Sequence, residues 1–223
     1  MQSFSQEAWI VNKENLSEGG VSWRRITEPD MYWQMNLAMG FGCKEFSFFT
    51  YFTKPFKRFV GKRGGGDGVD GACFINLDGS RTKLYYYTRR IIKEMKEFEK
   101  VLLPYTFKDA YFFVPSGKTL LDFDSTRRAI NKEGCPIRIS TPKKPIIVTE
   151  LINNDKKLFM VENIGNPMDE VIGGELATKI EINLGEFAKN AKFYSHGKLV
   201  GRKPINGVII EKMHCGEALF MEV

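Results

Sequence analysis

Residues 27–53, TEPDMYWQMNLAMGFGCKEFSFFTYFT, decide the reading of this chain. Thr27 is placed to cap a helix. Pro29 falls in the first turn, where its missing N–H costs nothing. Asp30, three residues after Thr27, can reach back to the cap and also faces the positive end of the helix dipole. Met31, Met35, Ala38 and Met39 form an i, i+4, i+7, i+8 stripe, which Trp33 and Leu37 widen. Gly40 and Gly42 end the helix. Lys44 to Thr53 then reads as a strand. Phe46, Phe48, Phe49, Tyr51 and Phe52 point both ways along a period of two. Burial on both faces marks a parallel strand covered by helices, so the segment predicts the helix–strand step of a parallel α/β barrel.

Working outward, residues 9–26 show no sustained period and read as a long loop carrying Trp9 and Trp23. A loop of that length without structure of its own is usually functional or disordered. Residues 54–71 are a Gly-rich basic loop. Ala72 to Leu77 is a short strand-like piece, and Asp78-Gly79 is a turn signal. A second helix is expected from about Lys83 to Leu103: Leu84, Tyr87, Ile91, Met95, Phe98 and Leu102 share one face, charged residues take the other, and Pro104 stops it.

From Asp109 onward the pattern becomes all-β. Apolar or alternating stretches of strand length recur: AYFFV, TLLDF, IIVTELI, KLFMVEN, TKIEINL, AKFYS, KLVG, GVIIEKM and EALFMEV. Asn153-Asn154-Asp155, His196-Gly197 and Cys215-Gly216 are turn signals between them. Short strands spaced in this way predict a β-sandwich.

Composition excludes several classes. The net charge of +6 would suit a nucleic-acid partner. Yet the Lys and Arg are scattered among acidic residues, and neither a long basic run nor an RNP-type strand appears, so no nucleic-acid binding is expected. Cys43, Cys73, Cys135 and Cys215 lack CxxC spacing and read as reduced, mostly buried thiols. His196 and His214 are too isolated to hold a metal, and no cofactor is expected. The GKRGGGDG run lacks the G-x-x-x-x-G-K-[ST] of a phosphate loop, and no G-x-S-x-G supports a serine hydrolase. The start, MQSFSQEAW, shows neither the basic nor the apolar region of a signal peptide. No run reaches the ~18 apolar residues of a membrane span, so no membrane partner is expected.

Taken in this order, the chain resembles the C-terminal part of (β/α)8-barrel glycoside hydrolases of the β-galactosidase type. Leu37 to Gly42 match the family's "LALAYGA"-like helix ending, and Phe49 to Thr53 match its "FTYW"-like strand ending, with Phe52 where Trp is usual. Gly71 to Thr82 resemble "GIIDRDGKPT", Ile92 to Pro104 resemble the close of the last barrel helix, and Gly216 to Val223 resemble "GEALLVEI". The resemblance implies an α/β plus all-β fold. Residues 1–108 would be the last two β/α units of an incomplete TIM-type barrel, and 109–223 an accessory β-sandwich domain.

The same resemblance implies hydrolysis of O-glycosidic bonds of a carbohydrate substrate, with the acid/base carboxylate on polypeptide upstream, so that the chain alone is expected to be inactive. The candidate substrate-binding residues are Gln2 and Tyr51 or Phe52 at the two strand ends, with Trp9 and Trp23 in the loop between them. Glu7 is the candidate catalytic carboxylate, and Asp67 and Asp70 could line the rim. Each has a plainer alternative as a core aromatic or a solvated loop residue. Two strands cannot close a barrel, and the open edge predicts self-association. The alternative function is a non-catalytic carbohydrate-binding or scaffold β domain that presents exposed aromatics such as Tyr111 or Tyr194. Aromatics clustered in the open on one sheet face would favour it. A sheet face buried against the barrel helices would favour the enzyme.

Overall fold

The computed structural model describes residues 3–5, 8–10, 22–24, 26–49, 51, 73–76, 78–115, 134–140, 143–165 and 177–223. The chain divides into two compact units, one of residues 1–31 and 45–92, the other of residues 32–44 and 93–223.

The expected incomplete TIM-type barrel is not what the chain forms. Among the described residues the protein is mostly β-sheet, built on two antiparallel sheets, with only two α-helices. Among the described residues, the aromatic run that reads as a doubly buried barrel strand yields a three-residue strand. Ser47 is exposed, Phe48 is half-buried, and Tyr51 is 51% exposed. Phe74 lies with its ring centroid 5.5 Å from Phe48 and 5.8 Å from Tyr51. Clustered aromatics remove apolar area from water without a helix layer on each side, and that is why the density of Phe misleads.

In the first unit, β1 (Ser3–Ser5) pairs in parallel with β4 (Ser47–Phe49), and β2 (Ala8–Ile10) pairs antiparallel with β3 (Ser22–Arg24). Among the described residues the α-helices are α1 (Glu28–Gly40) and α2 (Lys83–Leu102). The start of α1 forms as its sequence dictates. The backbone N–H and the hydroxyl of Thr27 both donate to Asp30 Oδ2 at 2.7 Å, an Asp version of the capping box. Met31, Met35, Ala38 and Met39 are all buried, as are Leu84, Ile91, Phe98 and Leu102 of α2.

The second unit holds a β-sandwich. The larger sheet has the order β11-β10-β13-β8-β7-β5, with β5 (Thr106–Phe113), β7 (Ile146–Asn153), β8 (Lys156–Asn163), β10 (Lys192–Ser195), β11 (Lys198–Val200) and β13 (Ala218–Glu222). The smaller sheet runs β12-β9-β6, with β6 (Arg138–Ser140), β9 (Thr178–Asn183) and β12 (Val208–Met213). The apolar stretches read from the sequence fall on these strands, apart from TLLDF, which lies outside the described residues. The turns also fall where the sequence signals them. Asn154, His196, Gly197 and Gly216 take positive φ. Positive φ at both His196 and Gly197 suits a two-residue hairpin turn, whose twist matches that of the strands it joins.

The middle strands β7, β8 and β13 of the six-stranded sheet are buried on both faces. One face meets the smaller sheet through a core that includes Val148, Phe159, Val161, Leu219 and Met221, opposed by Ile180, Ile182 and Ile209. The other face lies under residues 32–40 of α1 and 93–102 of α2. Phe98 packs on Tyr194 and Phe220, with ring centroids 5.3 and 4.7 Å away. Gly40 comes so close that an added Cβ would lie 2.4 Å from Met160 Cε and 2.8 Å from Thr149 Oγ1. Asn36 donates to the Gly216 carbonyl at 2.9 Å. This double burial explains why β7 and β8 read as continuous apolar runs rather than as alternating strands.

Candidate functional site

Of the residues singled out in the sequence, Gln2, Glu7, Phe52, Asp67 and Asp70 lie outside the described residues. Trp9 and Trp23 are brought together, because they are direct register partners across β2 and β3. That short hairpin replaces part of what reads as an unstructured loop. Tyr51 stands at the surface beside Phe74, and its carbonyl accepts a hydrogen bond from the Ile75 N–H at 3.1 Å.

The polar chemistry of the second unit gathers around four glutamates. Glu150 of β7 is fully buried and receives Lys108 and Lys157, each with Nζ 3.1 Å from Oε1. Tyr111 donates its hydroxyl to the other oxygen at 3.2 Å. Burial pushes the Glu150 carboxyl upward, but hydrogen bonds and charge from the two lysines overcome it and hold the group below the usual carboxylate range. The Tyr111 hydroxyl is pushed well above its usual range by burial and then by the Glu150 charge. Nearby, burial raises the Cys135 thiol to about 11, so it stays protonated and unreactive at neutral pH.

Glu222 of β13 accepts hydrogen bonds from Tyr105 at 3.0 Å and from Lys192 and Tyr194 at 3.3 Å each. Burial raises its carboxyl, but these donors and the Lys192 charge bring it below the ordinary value. Glu94 of α2 receives the Tyr32 hydroxyl at 2.8 Å and lies 3.2 Å from His196 Nδ1. The Tyr32 and His196 rings meet edge to face at 5.1 Å. Gly197 fits here because an added Cβ would lie 2.0 Å from the Glu94 carbonyl oxygen. The His-Gly turn is therefore pressed onto α2, tying together α1, α2 and the β10–β11 hairpin. The fourth glutamate, Glu162 of β8, is completely buried, and neither of its carboxyl oxygens has a hydrogen-bond partner.

Sheet register decides what these groups can do. Glu150 shares a rung with Phe159 and Met221, which belong to the sandwich core. Glu222 and Glu162 alternate with those residues and so point to the helix-covered face. Glu150 and Glu222 therefore cannot flank one glycosidic bond. Glu162 pairs with Ala218, four residues along β13 from Glu222. At the usual rise per residue, the two lie about 13 Å apart along the strand, beyond the ~9.5 Å limit for a glycosidase pair. Three of the four glutamates are occupied by structural donors.

His214 is exposed, and its backbone N–H donates to Glu217 Oε2 at 2.6 Å. None of the four cysteines is joined in a disulfide, and the Cys215 thiol donates to the Gly165 carbonyl. Among the described residues, no group of three or more His, Cys, Asp or Glu is placed to hold a metal ion, and no helix is long and apolar enough to cross a membrane. Sequence reading missed the Tyr32–Glu94–His196 cluster because its members lie 62 and 102 residues apart from Glu94. Glu162 had a local signal, a carboxylate inside the apolar run LFMVEN. Compared with known protein families, with curated proteins and with solved structures, the chain matches none.

Proposed function

We propose that this chain is the C-terminal portion of a glycoside hydrolase acting on O-glycosidic bonds of a carbohydrate. Its β-sandwich serves as a non-catalytic accessory domain, and the acid/base carboxylate comes from polypeptide outside the described residues. The observation that carries the reading is the cover that residues 32–40 and 93–102 give to part of one face of the six-stranded sheet, seen in Phe98 on Phe220 and Gly40 on Met160. A freestanding carbohydrate-binding domain needs exposed aromatics on a sheet face. Here Tyr111 is 5% exposed. Tyr194 is stacked on Phe98 with its hydroxyl held by Glu222. The occupied glutamates fit the same reading, since a carboxylate tied to two lysines or two tyrosines is a fastening rather than an acid/base.

Aryl-glycoside hydrolysis tests the proposal. The 223 residues alone are expected to release no phenol from a panel of aryl-glycosides. The natural polypeptide that contains them is expected to release it. Turnover by the isolated chain would refute the non-catalytic assignment. An inactive natural polypeptide across the whole panel would refute the glycosidase.

A further inference from the structure

Glu162 sits at a particular place under α1. Its cross-strand partners are Ile147 on β7 and Ala218 on β13. The neighbouring rung on the same face holds Thr149, Met160 and Phe220. That rung is where α1 presses closest, with Gly40 against Met160 and Thr149. On the other side of Glu162, Asn36 of α1 reaches the Gly216 carbonyl, two residues before Ala218 on the chain. Glu162 therefore lies between the two points that pin residues 36–40 to the sheet. Neither carboxyl oxygen has a hydrogen-bond partner, and the Thr149 hydroxyl beside it has none either. The Trp33 indole N–H, on the same helix stripe as Asn36 and Gly40, is likewise buried without one.

Among the described residues, no cation offsets this carboxyl. Around it stand Ile147 and Thr149 from β7, Ala218 and Phe220 from β13, Met160 from its own strand, and the Asn36–Gly40 stripe from α1. The nearest charged groups on the surrounding elements are engaged elsewhere. Glu217 accepts from the His214 N–H, Glu94 of α2 is held by Tyr32 and His196, Glu222 by Tyr105, Tyr194 and Lys192, and Lys44 donates to the Leu102 carbonyl. Glu150 with its two lysines lies on the opposite face. An unpaired ionised carboxylate in such a place is costly enough that either the group takes a proton or the layer above it opens.

We infer that Glu162 is a proton-operated latch: as the neutral acid it lets residues 32–40 close over β7, β8 and β13, and on ionising it drives that helical layer off the sheet. Burial holds the carboxyl well above the ordinary range in the closed state, whereas in an opened state water returns it to about 4.3. The closed state thus binds more protons than the open one between those two values. Closure is strongest in acid and weakens as pH rises, by about tenfold in the opening constant per pH unit until the raised value is passed. The slope is opposite in sign to that of a salt-bridged carboxylate. The release of a helical layer on loss of a proton is the conformational event the geometry provides.

Amide hydrogen exchange on the full chain tests this, read at residues 32–40 and 158–162 from about pH 5 to about pH 8 and corrected for intrinsic exchange. In the wild type, opening of these segments is expected to climb by about tenfold per unit, while the sandwich-face strand β9 does not follow. Glu162→Gln and Glu162→Met, one polar and one apolar neutral replacement, are each expected to abolish the climb. A wild type without it, or a climb that persists in either variant, overturns the proposal. In the wild type alone, carbon-13 NMR must show a glutamate carboxyl titrating at the upper end of the climb, where it levels off. If every glutamate titrates near its ordinary value, the latch is refuted without any substitution.

Discussion

The two faces of the six-stranded sheet hold one buried glutamate each on two of its most apolar strands, β7 and β8, and the two are treated in opposite ways. On the sandwich face, Glu150 sits at the end of an apolar core, where Lys108, Lys157 and Tyr111 complete it. On the helix-covered face, Glu162 lies beneath α1 with nothing to complete it. The difference follows from what covers each face. A sheet is a rigid, regular cover whose strand ends leave room for long lysine side chains to reach in with their ammonium heads partly in water. A helix laid flat, with Gly40 against Met160, brings backbone close and leaves no entry for a counter-charge. One face is thus unconditionally buried, and the other is buried only while its lid is down.

If that contrast is right, the largest losses come from the sandwich face. Phe159, fully buried in the inter-sheet core, should cost about 3–5 kcal/mol of unfolding free energy when changed to Ala, because both sheets hold the cavity open. Met160→Ala, one residue along and under α1, should cost about 2 kcal/mol, the low end for its type, because a single helix can settle into the space. Urea unfolding of the two variants measures the difference. Equal costs would break the distinction between the faces.

The close approach of the β10–β11 turn to α2 sharpens the comparison at one position. Gly197→Ala would place a methyl group against the backbone carbonyl of Glu94, and backbone cannot swing aside. Gly197 also has a φ of +75°, where an L side chain is strained. The expected cost is about 2–3 kcal/mol. Gly185 has a φ of +55° but open space around it, so Gly185→Ala isolates the backbone part, at about 1 kcal/mol. Thermal unfolding of both variants gives the contact part by difference. If the two variants melt together, the turn is not pressed on the helix.

The sequence made the β-sandwich legible for a physical reason. Strands such as TKIEIN alternate with the pleat, and the turns need residues that accept positive φ, as Asn154, His196 and Gly197 do. The helix start at Thr27 and Asp30 was legible because capping is local. The barrel was misread because an aromatic run carries no information about its partner: Phe48 and Tyr51 each meet the ring of Phe74. Strand β6 went unread since three residues, RIS, show no period. The glutamate contacts could not be read at all, because Glu150 meets Lys108 from 42 residues away and Glu222 meets Tyr105 from 117. Pairing over such spans belongs to topology.

The smallest effect is a slope. The Glu150 carboxyl is held below its ordinary value by Lys108 and Lys157 against the pull of burial. The folded chain therefore binds fewer protons at this site than the unfolded chain between the lowered value and about 4.3. Stability from the pair is complete above that ordinary value and is lost as pH falls through the lowered one. Both lysines are partly exposed, at 47% and 32% of their side chains, so water screens the pair, and its worth is on the order of 1 kcal/mol. Glu150→Gln should remove that much at neutral pH and flatten the acid limb of the urea-unfolding profile. Glu162→Gln should leave the acid limb intact and flatten the neutral-to-alkaline side instead. Two glutamates on one sheet, changed to the same residue, should thus alter opposite ends of one pH profile. If both substitutions alter the same end, the register that assigns them to different faces is wrong.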